Sequence, residues 1–233
     1  MKKMKLVLAA AMAAVTLSAC GSNSTAPQTT AASTAAESTA ATEAATEAEK
    51  SGSETTGETT AAAEGIVTEG DLDVNQFETP VLVTSFGQST DAAMLDTVMK
   101  RLGVDYVYNA TASGEEIGDN KTVIICVGAS TKGLGAAGIS EDEETARATS
   151  FMEALKGTDA KVVLVHIGGE TRRGGLSDSF ADLVLGDADY MVVKEDGNAD
   201  GKFTDAAKEA GVPITLIQST KDTIEVFTNL FVK

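Results

Sequence analysis

The chain has 233 residues, with 35 acidic and 18 basic side chains, one histidine and a net charge of −17. This acidic balance argues against nucleic-acid binding and against electrostatic adhesion to anionic lipid. The aromatic residues all lie within residues 76–233, a stretch long enough for a single domain with its own core.

The first 19 residues have the layout of a secretory signal peptide. Lysines near the start precede a short apolar run that ends at Leu17, and small residues follow it. The run is shorter than the roughly 20 residues that a membrane span needs. The ending Leu17-Ser18-Ala19-Cys20 resembles the lipobox of bacterial lipoproteins, which implies cleavage before Cys20 and lipid on its sulfur. We therefore expect an exported protein that is anchored to the outer face of the bacterial cell membrane.

Residues 20–75 predict a disordered tether. Thr, Ala, Ser, Glu and Gly dominate this stretch, and almost no large apolar side chain precedes Ile66. Such a composition buries too little apolar surface to offset the entropy lost on ordering. We therefore expect one α/β domain over residues 76–233.

From residue 80 onward, apolar runs alternate with amphipathic patterns. Six runs are strand-like, and several of them are apolar almost throughout, which is typical of strands covered on both faces of a parallel sheet. These predicted strands are 80–85, 104–109, 122–127, 161–167, 189–194 and 213–218. Helical spacing of apolar residues predicts helices over 90–102, 141–156, 177–185, 205–210 (with Thr204 as N-cap) and 220–231. This order predicts a three-layer α/β sandwich with a mostly parallel sheet, flavodoxin-like or Rossmann-like.

The loops that follow the predicted strands contain the candidate ligand-binding residues. In an open α/β sheet, ligands bind outside the carboxyl ends of the strands. Hydroxyl, glycine and basic residues at these ends predict a site for a small anionic solute. The candidates are Ser85, Gly87, Gln88, Ser89, Asp91, Ser130, Thr131, Lys132, His166, Arg172, Arg173, Ser219 and Thr220. Helix caps and turns use the same residue types, so a structural role is the alternative.

Two other motifs match known patterns only in part. Asp196, Asn198 and Asp200 occupy positions 1, 3 and 5 of a calcium loop, but position 12 is Ala207 instead of a bidentate acid. Calcium is therefore one hypothesis and an Asx-rich turn the other. Residues 133–138 (GLGAAG) match the dinucleotide pattern, but five residues separate them from the predicted strand end. They also precede an acidic helix start that would repel a pyrophosphate.

The sequence contains no complete catalytic signature. Cys126 lies in an apolar run, and with Cys20 lipidated it has no disulfide partner, so we expect a small buried hydrophobe. His166 is the single histidine, and no Ser-His-Asp or zinc spacing accompanies it. An enzyme that uses His166 or Asp91 as its base is kept as an alternative.

Three segments resemble an uncharacterised family of exported bacterial α/β domains. They are residues 82–91 (LVTSFGQSTD), 200–204 (DGKFT) and 211–214 (GVPI), and the resemblance covers about residues 78–233. It implies export and an α/β fold, and it supplies no catalytic residue.

The predicted function is that of a membrane-anchored extracytoplasmic lipoprotein with a domain that binds a small, anionic solute. The alternatives are a hydrolase or transferase that uses the same strand-end pocket, and a structural or interaction domain. The expected partners are the membrane, through lipid on Cys20, and a small molecule, with no nucleic acid.

Overall fold

The structure is a computed structural model, and it describes residues 65–232. The predicted signal peptide, Cys20 and most of the predicted tether lie outside the described residues. Within residues 65–232, no helix has the length and apolar character needed to cross a bilayer.

Seven strands form one sheet. They are β1 (Ile66–Glu69), β2 (Val81–Phe86), β3 (Tyr106–Tyr108), β4 (Thr122–Val127), β5 (Lys161–His166), β6 (Tyr190–Lys194) and β7 (Ile214–Ile217). Their spatial order is β1-β7-β6-β5-β4-β2-β3, and only the pair of β1 with β7 is antiparallel. The parallel strands alone run in the order 2-1-3-4-5-6, which is the flavodoxin-like order with one further strand.

Six α-helices cover the two faces of the sheet. They are α1 (Asp91–Leu102), α2 (Thr131–Ala137), α3 (Glu141–Leu155), α4 (Gly175–Leu185), α5 (Lys202–Ala210) and α6 (Thr223–Phe231). Alternate residues of each strand point to opposite faces. Leu82 therefore joins the core under α3, α4 and α5, while its neighbour Val83 joins the core under α1 and α6. The predicted three-layer α/β architecture is confirmed.

The domain begins earlier than residue 76. Strand β1 lies within the stretch predicted as tether and pairs with β7, with Ile66 opposite Ile217. The hydroxyl oxygens of Thr68 and Thr215 lie 2.7 Å apart across this pair. A four-residue strand with two polar residues has no clear local pattern, because its stability comes from pairing with a distant segment.

Helices α2 and α5 also differ from the prediction. Helix α2 was not predicted, because Leu134 is its only buried residue and no apolar stripe exists. Helix α5 begins at Lys202, so Thr204 lies inside the helix and is not its N-cap. The side-chain oxygen of Asn198 accepts hydrogen bonds from the backbone N–H groups of Phe203 (2.9 Å) and Thr204 (3.4 Å). Asn198 therefore performs the capping role that the sequence suggested for Thr204.

Candidate functional site

The chain reverses direction across the sheet at β2. Strand β2 lies between β3 and β4, so the connections that leave β2 and β4 run to opposite faces. Such a switch point is where open α/β sheets bind ligands. We call the side where the parallel strands end the carboxyl edge; the strands nearest its switch point end at Phe86, Val127 and His166.

The loops after β2 and β4 pack directly against each other at this switch point. The Ser130 N–H donates to the Gly87 carbonyl oxygen at 2.8 Å, and the Gly128 N–H donates to the Phe86 carbonyl oxygen at 3.0 Å. A Cβ atom on Gly87 would lie 2.6 Å from the Gly128 carbonyl oxygen. The two loops therefore fill the space between them, and a ligand at this edge would lie on top of them.

Helix α2 rests on the same loop. The side-chain oxygen of Ser130 accepts from the Gly133 N–H and caps the helix. A Cβ atom on Gly133 would lie 1.8 Å from the Gln88 carbonyl oxygen. The first glycine of the GLGAAG segment is therefore needed for packing against the loop after β2.

Ser89 and Asp91 form a buried pair at the start of α1. The Ser89 hydroxyl donates to the Asp91 carboxylate at 3.0 Å, and both residues are more than nine-tenths buried. A carboxylate at a helix N-terminus is favoured by the helix dipole. A Cβ atom on Gly168 would lie 2.7 Å from this carboxylate and 2.2 Å from Cγ of Arg172. The loops after β2, β4 and β5 therefore meet here.

Glu144 and Arg147 of α3 pack beneath the loop after β2, and neither was predicted from the sequence as a site residue. One Glu144 carboxylate oxygen accepts from the Gly87 N–H at 2.8 Å and from the Gln88 side-chain amide at 3.0 Å. Arg147 donates to both carboxylate oxygens of Glu144, at 2.8 Å each. Glu144 is completely buried and shares a helical face with the buried residues Ala148 and Phe151. A charged residue in register with an apolar stripe is the sequence signal that could have revealed it.

Adjacent arginines on the β5–α4 loop have different surroundings. Arg173 donates to the carboxylates of Asp178 and Asp200, at 2.8 Å in each case. These contacts raise the pKa of Arg173 and lower the pKa of both carboxyl groups. Arg172 is half-buried, and its guanidinium donates to the Ala129 carbonyl oxygen over a long 3.4 Å. No carboxylate within residues 65–232 forms an ion pair with Arg172.

His166 is a packed residue in this structure. Its ring nitrogens lie 3.1 Å from the Val127 carbonyl oxygen and 3.3 Å from the Gly169 carbonyl oxygen, and the ring stacks on Phe203. Burial lowers the pKa of His166. Because both nitrogens face backbone carbonyls, neither is placed to act as a general base. Cys126 is also fully buried, and burial raises the pKa of its thiol well above the usual value.

The calcium-loop residues point to different partners. The Asp196 carboxylate lies 2.5 Å from the Lys194 ammonium, Asn198 caps α5, and Asp200 binds Arg173. The described part of the chain contains no group of three or more His, Cys, Asp or Glu side chains that could hold a metal ion. The geometry therefore fits the Asx-rich turn and gives the calcium hypothesis no ligand set.

Ser219 and Thr220 do not join the other candidates. They follow β7, which is separated from β2 by β6, β5 and β4. At about 4.8 Å per strand, β7 is about 19 Å from β2. Ser219 instead caps the turn that leads into α6, where its hydroxyl oxygen accepts from the Lys221 N–H. The expected convergence of four loops is therefore a convergence of three.

Two depressions on the described surface lie away from the carboxyl edge. One, of about 120 Å³, lies near the amino end of β5 and includes Leu155 and Asp187. The other lies beside Phe77 and Phe231. Neither depression includes a residue that the sequence predicted for the site.

Comparison with known proteins identifies a family. No curated protein matches the chain, and no solved structure matches it. One family model, described as Domain of unknown function (DUF6305), matches residues 78–231, from just before β2 to the end of α6. This match covers more than half of the chain, and the chain therefore belongs to the DUF6305 family.

Proposed function

We propose that this protein is an exported, membrane-anchored lipoprotein whose domain binds a small anionic solute on the surface of the carboxyl edge. The signal-like start and the sequence that ends at Cys20 support export and anchoring. The flavodoxin-like switch point, with three loops that meet there, supports the position of the site.

The surroundings of Arg172 carry the proposal of an anionic ligand. From residue 76 onward the chain has 25 acidic and 14 basic residues, so carboxylates outnumber the basic side chains. Arg173 is paired twice, yet its neighbour Arg172 has a single long contact with a carbonyl. Lys132, on the first turn of α2, is exposed and likewise has no ion pair within the described residues. An anion above the loops would supply the missing charge-assisted hydrogen bonds.

Titration with inorganic phosphate tests this site. Phosphate should shift the backbone amide NMR signals of Ala129 and Ser130 in the full chain. Arg172→Ala should weaken the affinity by about tenfold or more, because a hydrogen bond to a charged group contributes about 1.5–3 kcal/mol. Arg101→Ala is the matched control, since Arg101 is an exposed arginine at the far end of α1 and forms no ion pair within residues 65–232. Equal weakening in both variants, or no shift at the carboxyl edge, would contradict the proposal.

Fractionation of cells tests the anchor. Cys20→Ala should leave the membrane fraction or accumulate as an unprocessed precursor. Cys126→Ala should stay in the membrane fraction, because Cys126 is buried in β4. Normal processing and continued membrane association of Cys20→Ala would exclude lipid on Cys20.

An interaction domain is the second candidate function. Lys132 at the carboxyl edge favours it, since an exposed side chain can bind an anionic group of a larger partner as readily as a small solute. The enzyme alternative has less support, because both ring nitrogens of His166 are buried against backbone carbonyl oxygens and face no substrate surface.

A further inference from the structure

The burial of Glu144 calls for an explanation. Four acidic residues open α3, and Glu141, Asp142 and Glu143 are exposed while Glu144 is completely buried. A carboxylate is costly to remove from water unless it is paired and its oxygens are hydrogen-bonded. Both conditions are met here, since Glu144 receives hydrogen bonds from Arg147 and from the β2–α1 loop, residues 87–90.

The loop that Glu144 holds has an unusual backbone. Gln88 has φ of 58°, and it is the one non-glycine with positive φ among residues 65–232. Side-chain-bearing residues adopt this region rarely, and such conformations persist only when surrounding contacts determine them. Here Glu144 accepts hydrogen bonds from the Gly87 backbone N–H and from the side-chain amide of Gln88. The same side-chain amide also donates to the Ala110 carbonyl oxygen at 2.9 Å.

Arg147 extends this support to the neighbouring strands. Besides Glu144, it donates to the carbonyl oxygens of Ser85 at the end of β2 and of Ala112 after β3. Its guanidinium carbon lies 5.3 Å from the centre of the Phe86 ring. One guanidinium therefore connects α3 to the end of β2 and to the loop after β3.

The position of the β2–α1 loop determines the position of the rest of the site. The Gly87 carbonyl accepts from Ser130, and the Gln88 carbonyl touches Gly133 at the start of α2. The residue before Ser130, Ala129, offers its carbonyl oxygen to Arg172. We infer that Glu144 and Arg147 are positioning residues of the carboxyl-edge site, which set the loop geometry that places α2 and Arg172. This inference rests on the proposed function in one respect, since it takes the anion to bind above these loops.

A double substitution separates positioning from stability. Arg147→Met alone leaves Glu144 buried and unpaired, and we expect severe destabilisation. The double variant Glu144→Met/Arg147→Met removes both charges and should be more stable than Arg147→Met. Leu155→Ala is the control, because Leu155 is on the same helix and packs in the hydrophobic core away from the loop. It should lower stability without changing the geometry of the loop.

Two measurements on the full chain decide the inference. The Ser130 amide donates to the Gly87 carbonyl oxygen and has no hydrogen bond with either substituted residue, so its protection reports the loop geometry. In the double variant it should exchange its hydrogen about tenfold faster or more, relative to core amides such as that of Ile125. Affinity for inorganic phosphate should fall about tenfold or more, and both effects should be absent in Leu155→Ala. A double variant that recovers stability together with wild-type Ser130 protection and phosphate affinity would overturn the inference. If the wild-type chain does not bind phosphate, the proposed anion site fails, while unchanged Ser130 protection in the double variant would still overturn the positioning role and faster exchange would support it.

Discussion

Gly133 and Gly135 offer a sharp steric test of how the carboxyl edge is packed. Both glycines lie inside α2, and neither has positive φ, so alanine can adopt either backbone conformation. A Cβ atom on Gly133 would lie 1.8 Å from the Gln88 carbonyl oxygen, whereas a Cβ atom on Gly135 would have no atom within 4 Å. Gly133→Ala therefore places a methyl group against a backbone atom, whereas Gly135→Ala places one in open space on the same helix.

The expected difference can be estimated from general magnitudes. Alanine stabilises a helix interior over glycine by about 0.5–1 kcal/mol, and this gain is common to both variants. Overpacking costs about 1–3 kcal/mol, and a contact with a backbone atom at this distance should be near the upper end. Gly133→Ala should therefore be less stable than Gly135→Ala by about 3 kcal/mol. For a domain of this size, that corresponds to about 6–12 °C in melting temperature.

Thermal and denaturant unfolding of the two variants beside the wild-type chain measures this difference. Gly135→Ala should melt slightly above the wild type, and Gly133→Ala clearly below it. Equal melting temperatures for the two variants would refute the contact between α2 and the β2–α1 loop.

Two further predictions concern pH. Burial lowers the pKa of His166, so the unfolded chain takes up a proton at a higher pH than the folded chain does. The stability of the fold should therefore decrease as pH drops below about 6.5, the ordinary histidine value. His166→Phe should remove this pH dependence from the melting temperature. The lowered pKa values of Asp178 and Asp200 stabilise the fold above the ordinary aspartate value of 3.8, and this contribution is lost as pH falls through the folded-state values. The stability gap between the wild type and Arg173→Met should therefore be full at neutral pH and should narrow below about pH 4, and a gap independent of pH would contradict this ion-pair role.

The sequence predicted the six parallel strands because several of them are apolar almost throughout. Such a run needs cover on both faces, and this requirement alone indicates a parallel sheet between helices. Strand β1 and helix α2 were missed because neither is stabilised mainly by an apolar pattern of its own. The stability of Ile66–Glu69 depends on pairing with β7, and α2 depends on contact with the β2–α1 loop, so neither has a local pattern to detect.

The candidate site was predictable in its location and only partly in its residues. Loops at strand ends were identifiable from the chain order, and Ser89, Asp91, Ser130 and Arg172 lie where that order places them. The strand order itself could not be read from local patterns, which is why Ser219 and Thr220 were grouped with loops several strands away.

The antiparallel pairing of β1 with β7 sets the side on which the chain enters the domain. The Gly65 carbonyl oxygen accepts from the Gln218 N–H, so the chain enters the domain at the carboxyl edge. Helix α6 ends beside Phe77 and Thr79, at the opposite edge. The chain therefore enters the domain on the side of the proposed anion site, and α6 ends on the opposite side. A label attached after α6 would lie on the far side of the domain from that site, whereas one attached just before β1 would lie on the same side.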